Sequence, residues 1–213
     1  MSSTSTTSDG SHPRTPGRLD MDTEDKAYAQ RLATLQGVWW KRLLPVQAPY
    51  QWNMRRQKLG RTLDVGCGQG RNLGVLGSGS IGVDHNPHLV ATARSLGHEA
   101  YTVDEFQSRE WDPFDSLLFA HVIEHMTADE GIALVTTYSK YLKPGGKVFF
   151  ICPQERGFAS DPTHVWFATG DALEDLARRC GLEPSPWRSF PFPRRAGRAF
   201  AYNEFNVLAR APR

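Results

Sequence analysis

The sequence predicts an α/β protein, doubly wound, with helices on both faces of a mainly parallel sheet. Three features point there: short apolar runs that end on glycine or aspartate, helical segments between them, and an unbroken β-α-β order from residue 61 onward. With 213 residues, 39% of them hydrophobic, the chain has apolar material for one core plus a tail and too little length for two full domains. No internal repeat breaks this pattern.

Residues 1–21 are rich in Ser, Thr, Gly and Pro and cannot bury enough surface to offset chain entropy, so a disordered leader is expected there. From Asp22 the pattern turns helical, with Ala27, Leu32, Leu35 and Val38 set among charges. Trp39 to Lys58 then mixes aromatics with bases around Pro45 and Pro49, so residues 22–60 read as an N-terminal helical cap. The run from Arg61 to Gly66 is a short buried strand ending in glycines, followed by a weak helix at 72–76 and a second strand from Ser80 to Asp84. A helix at 87–96, a strand around 99–103 closing on Asp104 and Glu105, and a strand at 116–120 continue the alternation. A helix at 128–142 leads through the KPGG turn at 143–146 into a strand at 147–152. A helix at 170–179 and an alternating edge strand at 201–209 complete the chain.

Composition excludes several classes. The net charge is +2, and the basic end, where residues 183–213 hold six arginines against Glu183 and Glu204, is too mild to make nucleic acid an expected partner. Cys67, Cys152 and Cys180 are odd in number and form no C-x-x-C pair, which argues against a disulfide framework or a zinc-cysteine site and suits a reducing compartment. No window approaches the ~20 apolar residues of a membrane helix, and the first twenty residues hold no apolar stretch for a secretory signal. A cytoplasmic location and no membrane partner are the expectations.

Glycines 66, 68 and 70 fall where the first strand gives way to the next element, and they let backbone approach a ligand that any Cβ would push away. The dinucleotide fingerprint needs glycine at position 71, which is Arg71, so the spacing disfavours NAD. Asp64 sharpens the choice. A carboxylate ~4 Å from a phosphate charge costs about 4 kcal/mol at an effective dielectric of ~20, and the same attraction favours a cation. Twenty positions on, Asp84 ends the second strand, where an acid can accept both hydrogen bonds of a ribose diol.

Taken together, LDVGCGQGR, Asp84, Asp104 with Phe106, FDSLLFAHVIEHM and LKPGGK resemble the class I S-adenosylmethionine-dependent methyltransferases, in order and with natural spacing, over residues 61–213. The resemblance implies a Rossmann-like, mostly parallel seven-stranded sheet with an antiparallel last hairpin, and S-adenosylmethionine as cofactor. It also implies that Asp64, Gly66 and Gly68 surround the methionine moiety, that Asp84 holds the ribose and that Asp104 with Phe106 contacts the adenine, with Cys67, His85 and Glu105 also among the cofactor-binding candidates. Ala120 and His121 look like the fourth-strand edge beside the sulfonium.

Methyl transfer from a sulfonium is a displacement with a good leaving group, so the protein's main task is to align the reactants and exclude water. Hydroxyl acceptors also gain from a base, and histidine is the usual one. His121, Glu124 and His125 lie at i, i+3 and i+4, so they share one face if a helix follows the fourth strand, and His164 lies in the loop after the fifth strand, over the same crevice. Three readings stay open. His164, His125 or His121 acts in acid-base chemistry or contacts substrate, as in metal-free small-molecule enzymes of the ubiquinone-pathway type, which this stretch also resembles. Alternatively His121, Glu124, His125 and His164 ligate a metal, resembling the metal-dependent small-RNA ribose methyltransferases that carry E-x-x-E-H and a later histidine. The first acid of that motif is His121 here, and nitrogen-rich ligands shift preference from magnesium toward zinc, iron or manganese. In the third reading these side chains are structural.

Tyr50 and Trp52 are placed either in a lid or in a helix docked on the sheet, Trp39 and Trp40 in such a helix, and Trp166 and Phe167 beside an apolar acceptor pocket. The arginines at 194–198 read as a solvated loop. The function expected is methyl transfer to a small-molecule acceptor, oxygen before nitrogen. The competitors are a metal-dependent RNA ribose methyltransferase, a noncatalytic cofactor-binding regulator and an NAD-type oxidoreductase. Whether a metal takes part, and the oligomeric state, are left open by the sequence.

Overall fold

Strand β1 (Thr62–Val65) is buried at every position, which a strand reaches only with neighbours on both edges and layers on both faces. The computed structural model, which describes residues 47–213, supplies all of these. β2 (Ile81–Asp84), β3 (Ala100–Thr102), β4 (Phe114–Ala120) and β5 (Leu142–Pro153) join β1 in parallel, and β8 (Glu204–Arg210) closes antiparallel on β5. With β6 (Glu183–Pro184) the strand order is β3-β2-β1-β4-β5-β8-β6, and β7 (Arg188–Phe190) also pairs with β8.

The two-residue alternation of the long strands sorts the core. Leu117 and Phe119 of β4, with Val148, Phe150 and Cys152 of β5, pack with Val135 and Tyr138 of helix α4 (Ala128–Ser139) and with Leu173, Leu176 and Ala177 of helix α5 (Gly170–Arg179). Leu118, Ala120, Phe149 and Ile151 point the other way and meet Met54 of helix α1 (Ala48–Arg56) and Leu59. Val90 and Ala93 of helix α2 (Pro87–Ser95) cover Cys67 and Ala100. The α/β, doubly wound class read from the sequence is the observed one, and helix 170–179 has the expected ends.

Several elements differ from the sequence reading, each for a local reason. The sheet has eight strands rather than seven, because the penultimate strand is broken into β6 (Glu183–Pro184) and β7, both paired with β8. Pro186 has no N–H to donate, and the intervening Trp187 folds onto Gly170, where any added Cβ would stand 2.3 Å from the indole. The helix expected at 72–76 is a single 3-10 turn, Leu73–Val75. The strand expected at 99–103 stops at Thr102, whose hydroxyl caps helix α3 (Val103–Gln107) in a reciprocal box with Glu105, so Asp104 and Glu105 lie in a helix and do not end a strand. The KPGG turn lies inside β5 at an irregularity of register, where Phe114 pairs Leu142 and Ser116 pairs Lys147. The last strand starts at Glu204. The leader at 1–21 and most of the cap at 22–60 lie outside the described residues.

Phe119 and Phe150 stack at 5.4 Å between ring centroids, and both are wholly buried. Phe150→Ala removes this pair from the middle of the sheet. It is expected to cost about 3–5 kcal/mol of stability by urea titration, with the slope on denaturant unchanged.

Candidate active site

The C-terminal edge of the parallel strands is where β1 and β4, neighbours in the sheet, lead their chains apart, and an open α/β sheet binds ligands in such a crevice. The backbone leaves β1 through Gly66 at φ +74° and Gly68 at φ +55°. Gly66 is obligatory twice over: a Cβ there would stand 2.3 Å from Val122 on the β4 side, and its φ suits glycine. Around Gly68 nothing lies within 4 Å of where a Cβ would be, so the loop presents open backbone.

Under this loop Asp64 is fully buried, and neither of its carboxylate oxygens has a hydrogen-bond partner among the described residues. Burial pushes its pKa up to about 7, with Arg71 and Asn72 pulling the other way. A buried carboxylate without donors is costly unless a ligand supplies them, and the ligand that suits it is a cation. Asp84 is also buried, but its oxygens are engaged: Gly68 N–H donates to Oδ2 at 2.8 Å and Asn86 N–H to Oδ1 at 2.9 Å. Asp84 therefore fixes the glycine loop and keeps lone pairs for hydroxyl donors. Asp64 and Gly68, a donor-poor acid and an open backbone cradle, fit the sulfonium cofactor implied by the sequence.

The other expected cofactor contacts differ in their settings. The Cys67 thiol is buried against Gly82 on β2, and burial, with Asp64 and Asp84 nearby, raises its pKa far above the usual thiol range. His85 is exposed, with Nδ1 3.4 Å from Asp84. Asp104 is exposed on the first turn of α3. Glu105 is committed to the Thr102 box and to Arg94, which hold its pKa down. Phe106 is 0% exposed, stacked on Trp111 and edge-on to Tyr141, so its ring belongs to the core and has no face for an adenine. Ala120 is buried at the end of β4.

Past Ala120 the chain makes no helix. His121 adopts φ +59°, unusual for a residue with a side chain, and Ile123–His125 form one 3-10 turn. The shared helical face expected for His121, Glu124 and His125 is therefore absent, and the three divide into two groups. His121 Nδ1 lies 3.1 Å from Glu124 Oε1, and its Nε2 lies 3.0 Å from Glu204 Oε1. Burial opposes charge on this ring, but the two carboxylates overcome it and raise its pKa to about 9. As a cation with both nitrogens occupied, His121 is not available as the base. Glu124 is fully buried, burial opposing its charge and His121 keeping its pKa low, and the Cys152 thiol donates to Oε2 at 3.4 Å.

His125 turns toward His164, the ring centroids 4.8 Å apart and edge to face. His164 Nδ1 lies 2.7 Å from the carbonyl oxygen of Phe158, which only accepts, so Nδ1 carries the hydrogen and Nε2 a lone pair in the neutral ring. Thr163 gives its hydroxyl hydrogen to Asp161 at 2.8 Å, so at 3.1 Å it accepts from His125 Nδ1, again leaving a lone pair on Nε2. Burial keeps His125 toward its neutral form. One ligating atom each from Glu124, His125 and His164 lies within 4.8 Å of the others, and the four-residue set with His121 is not assembled.

Glu204, Cys152 and Thr163 are the members the sequence reading missed. Glu204 carried only the signal of an alternating edge strand, and Thr163 only that of a loop beside His164. Tyr50 donates to Tyr202 O at 2.7 Å and meets Phe190 edge-on, while Trp52 is exposed. Trp39 and Trp40 lie outside the described residues. Trp166 and Phe167 pack against the core. In the basic segment Arg194 pairs with Glu155 and is not free in solvent.

A family model described as a methyltransferase domain matches residues 39–185. A ubiquinone biosynthesis O-methyltransferase of Cereibacter sphaeroides is 29% identical over 202 residues, 81% of this chain and 73% of that protein. One of Xanthomonas oryzae pv. oryzae is 28% identical over 139 residues, 56% of this chain and only 57% of that protein. Among solved structures, the DhpI-SAH complex superposes with a TM-score of 0.63 at 17% identity, covering 91% of this chain and 98% of that one. A TehB-like SAM-dependent methyltransferase of Corynebacterium glutamicum gives 0.59 at 21% identity, covering 90% and 100%. These likenesses show the fold, and the family model shows the kinship. No described helix is long and apolar enough to cross a membrane. With residues 39–185 inside the family model, and with the glycine loop after β1 and Asp84 at the end of β2, the chain belongs to the class I S-adenosylmethionine-dependent methyltransferases.

Proposed function

We propose that this methyltransferase acts on a hydroxyl oxygen of a small molecule, with Asp64, Gly66, Gly68 and Asp84 holding the cofactor and the Glu124, His125 and His164 cluster receiving the acceptor. The observation that carries this reading is the pair of imidazoles with their Nδ1 hydrogens anchored and their Nε2 lone pairs left over, beside a buried carboxylate at the β4 edge. Nitrogen acceptors with a free lone pair need no such cluster, whereas a hydroxyl must lose its proton. The name shared by the curated relatives, O-methyltransferase, supports the same choice.

When bound, the cofactor supplies a methyl group on a positively charged sulfur that departs as a neutral thioether. Asp64 offers its charge to the cationic end, and Asp84 offers lone pairs to the ribose hydroxyls while tying down Gly68. The acceptor oxygen forms the new bond to carbon, the carbon–sulfur pair stays on sulfur, and the hydroxyl proton leaves through the histidine cluster. His121 takes no part in that transfer, since both its nitrogens are held.

The direct test is mass spectrometry of purified protein with isotope-labelled S-adenosylmethionine and a panel of phenols, alcohols and amines. Label on oxygen supports the reading, and label on nitrogen alone overturns it. Asp84→Ala is expected to weaken cofactor binding about 30-fold in calorimetry, as for roughly 2 kcal/mol of lost hydrogen bonds and a freed loop. His164→Ala is expected to lower turnover 10²–10⁴-fold with cofactor affinity retained.

Asp64 adds a pH dependence of definite sign. Its pKa of about 7 in the ligand-free fold lies above its ordinary 3.8, so the neutral form is the stabilising one. Stability is greatest below pH ~4 from this group and falls by a few kcal/mol as pH rises through 7. A cationic ligand binds the ionised form, so cofactor affinity is expected to rise by up to about tenfold per pH unit from pH 5.5 to 7 and then level off. In Asp64→Asn both slopes should vanish, which thermal unfolding and calorimetry across that range check.

A further inference from the structure

We infer that the groove between helix α1 and strands β7 and β8 is a binding site for a small organic anion, a carboxylate carried on an apolar body, separate from the methyl-transfer crevice. The groove has a volume of about 500 Å³, and Phe149 of β5 with Leu208 and Asn206 of β8 line its floor. In register Phe149 pairs with Leu208 and Ile151 with Asn206, so these side chains share the sheet face on which α1 lies. Asp64, Asp84 and the glycine loop belong to β1 and β2, on the far side of β4. The methyl transfer proposed above uses none of the groove's residues.

The pointer to a ligand is an amide donor with nothing to bond. Asn206 is 6% exposed, and its Nδ2 has no hydrogen-bond partner among the described residues. A chain of three amides fixes its orientation. Gln57 Nε2 donates to Asn53 Oδ1 at 3.2 Å, and Asn53 Nδ2 donates to Asn206 Oδ1 at 2.5 Å. Turning the Asn206 amide over would set two amide nitrogens against each other, so the chain ends on a donor at the groove. A buried donor without an acceptor is costly, and one kept beside a cavity gains its missing bond when a ligand brings an oxygen.

The lining says what kind of acceptor belongs there. Arg188 is the cross-strand partner of Asn206, so its side chain leaves the sheet beside the free amide. Arg56 lies three residues beyond Asn53, on the same side of α1, with its guanidinium 4.8 Å over the Trp52 ring. No acidic residue lines the groove, so neither positive charge is compensated within it. Two guanidinium groups and an amide nitrogen suit an anion, and the forked donors of arginine match the two oxygens of a carboxylate. Phe190 and Pro191 form an apolar wall that inorganic phosphate would leave bare. Both sides are already held in place. Ser189 donates to Phe192 O at 2.7 Å and accepts from Gln154 Nε2 at 2.8 Å, and Lys147 Nζ donates to the carbonyl oxygens of Gln57 and Lys58 at 2.7 Å each. A preformed groove of this kind loses little freedom on binding.

The test is calorimetric titration of the full chain with naphthoate, phenylacetate and octanoate, each beside its neutral amide, and with inorganic phosphate. At least one carboxylate should bind as a single equivalent, with its amide and phosphate roughly 10-fold or more weaker. Arg56→Ala and Arg188→Ala, both at exposed positions, should each lower that affinity roughly 10-fold. Asn206→Asp keeps an oxygen for Asn53 and puts a second oxygen where the free amide nitrogen stood. It should abolish carboxylate binding, while bound S-adenosylmethionine shows that the variant is folded. Absence of saturable binding by all three carboxylates, equal affinity for the amides, tighter binding of phosphate, or affinity retained in both arginine variants overturns the site. Displacement of the carboxylate by saturating S-adenosylmethionine also overturns it, because the probe then lies in the crevice. Simultaneous binding of the two upholds it, whatever acceptor the crevice serves.

Discussion

Glu124 is wholly buried at the end of β4, and a carboxylate in that position is tolerated only with partners on both oxygens. It finds them at the ends of two strands, and a third strand is linked through one of them. His121 comes from the turn after β4, Cys152 comes from β5, and through His121 the contact extends to Glu204 at the start of β8. Its carbonyl oxygen meanwhile anchors the segment that carries His164. Substituting Glu124 would leave an imidazolium with one counter-charge in place of two, while the backbone carbonyl that moors the His164 segment would stay.

The β1 half of the crevice is organised by the opposite condition. Asp64 has burial without partners, and Asp84 spends its oxygens on the backbone of the glycine loop. The two halves touch where Val122, just past His121, packs over Gly66. A side chain at 66 would therefore disturb the cofactor loop and the turn that carries Glu124 at once. The crevice between β1 and β4 is a single construction even though its two walls do different chemistry.

The parts of this site legible in the sequence were those fixed by backbone rules. Glycines at 66 and 68 and acids at strand ends are read from spacing, because strand, turn and helix each have a short menu of geometries. The misreadings arose where the chain left that menu. A spacing of i, i+3, i+4 places His121, Glu124 and His125 on one face only in a helix, and the φ of +59° at His121 rotates it away from His125. Phe106 next to Asp104 looked like a ligand contact because adjacency in sequence says nothing of which side of α3 faces the core. Glu204 was invisible for a different reason: its partner lies 83 residues away, and no local pattern marks a pairing across an antiparallel closing strand.

The two buried acids make a useful contrast, since the same functional group is pushed in opposite directions within one crevice. Burial without donors holds Asp64 near neutrality until a cation arrives, whereas the neighbouring imidazolium keeps Glu124 charged in the ligand-free protein. A carboxylate that must meet a cationic ligand only transiently gains from the first environment, because binding then repays the cost of ionising it. A carboxylate that must stay an anion inside the fold gains from the second. Environments pushed apart in this way make sense of a histidine at position 121: as a fixed cation between Glu124 and Glu204, it holds the charge that lets Glu124 stay ionised out of water.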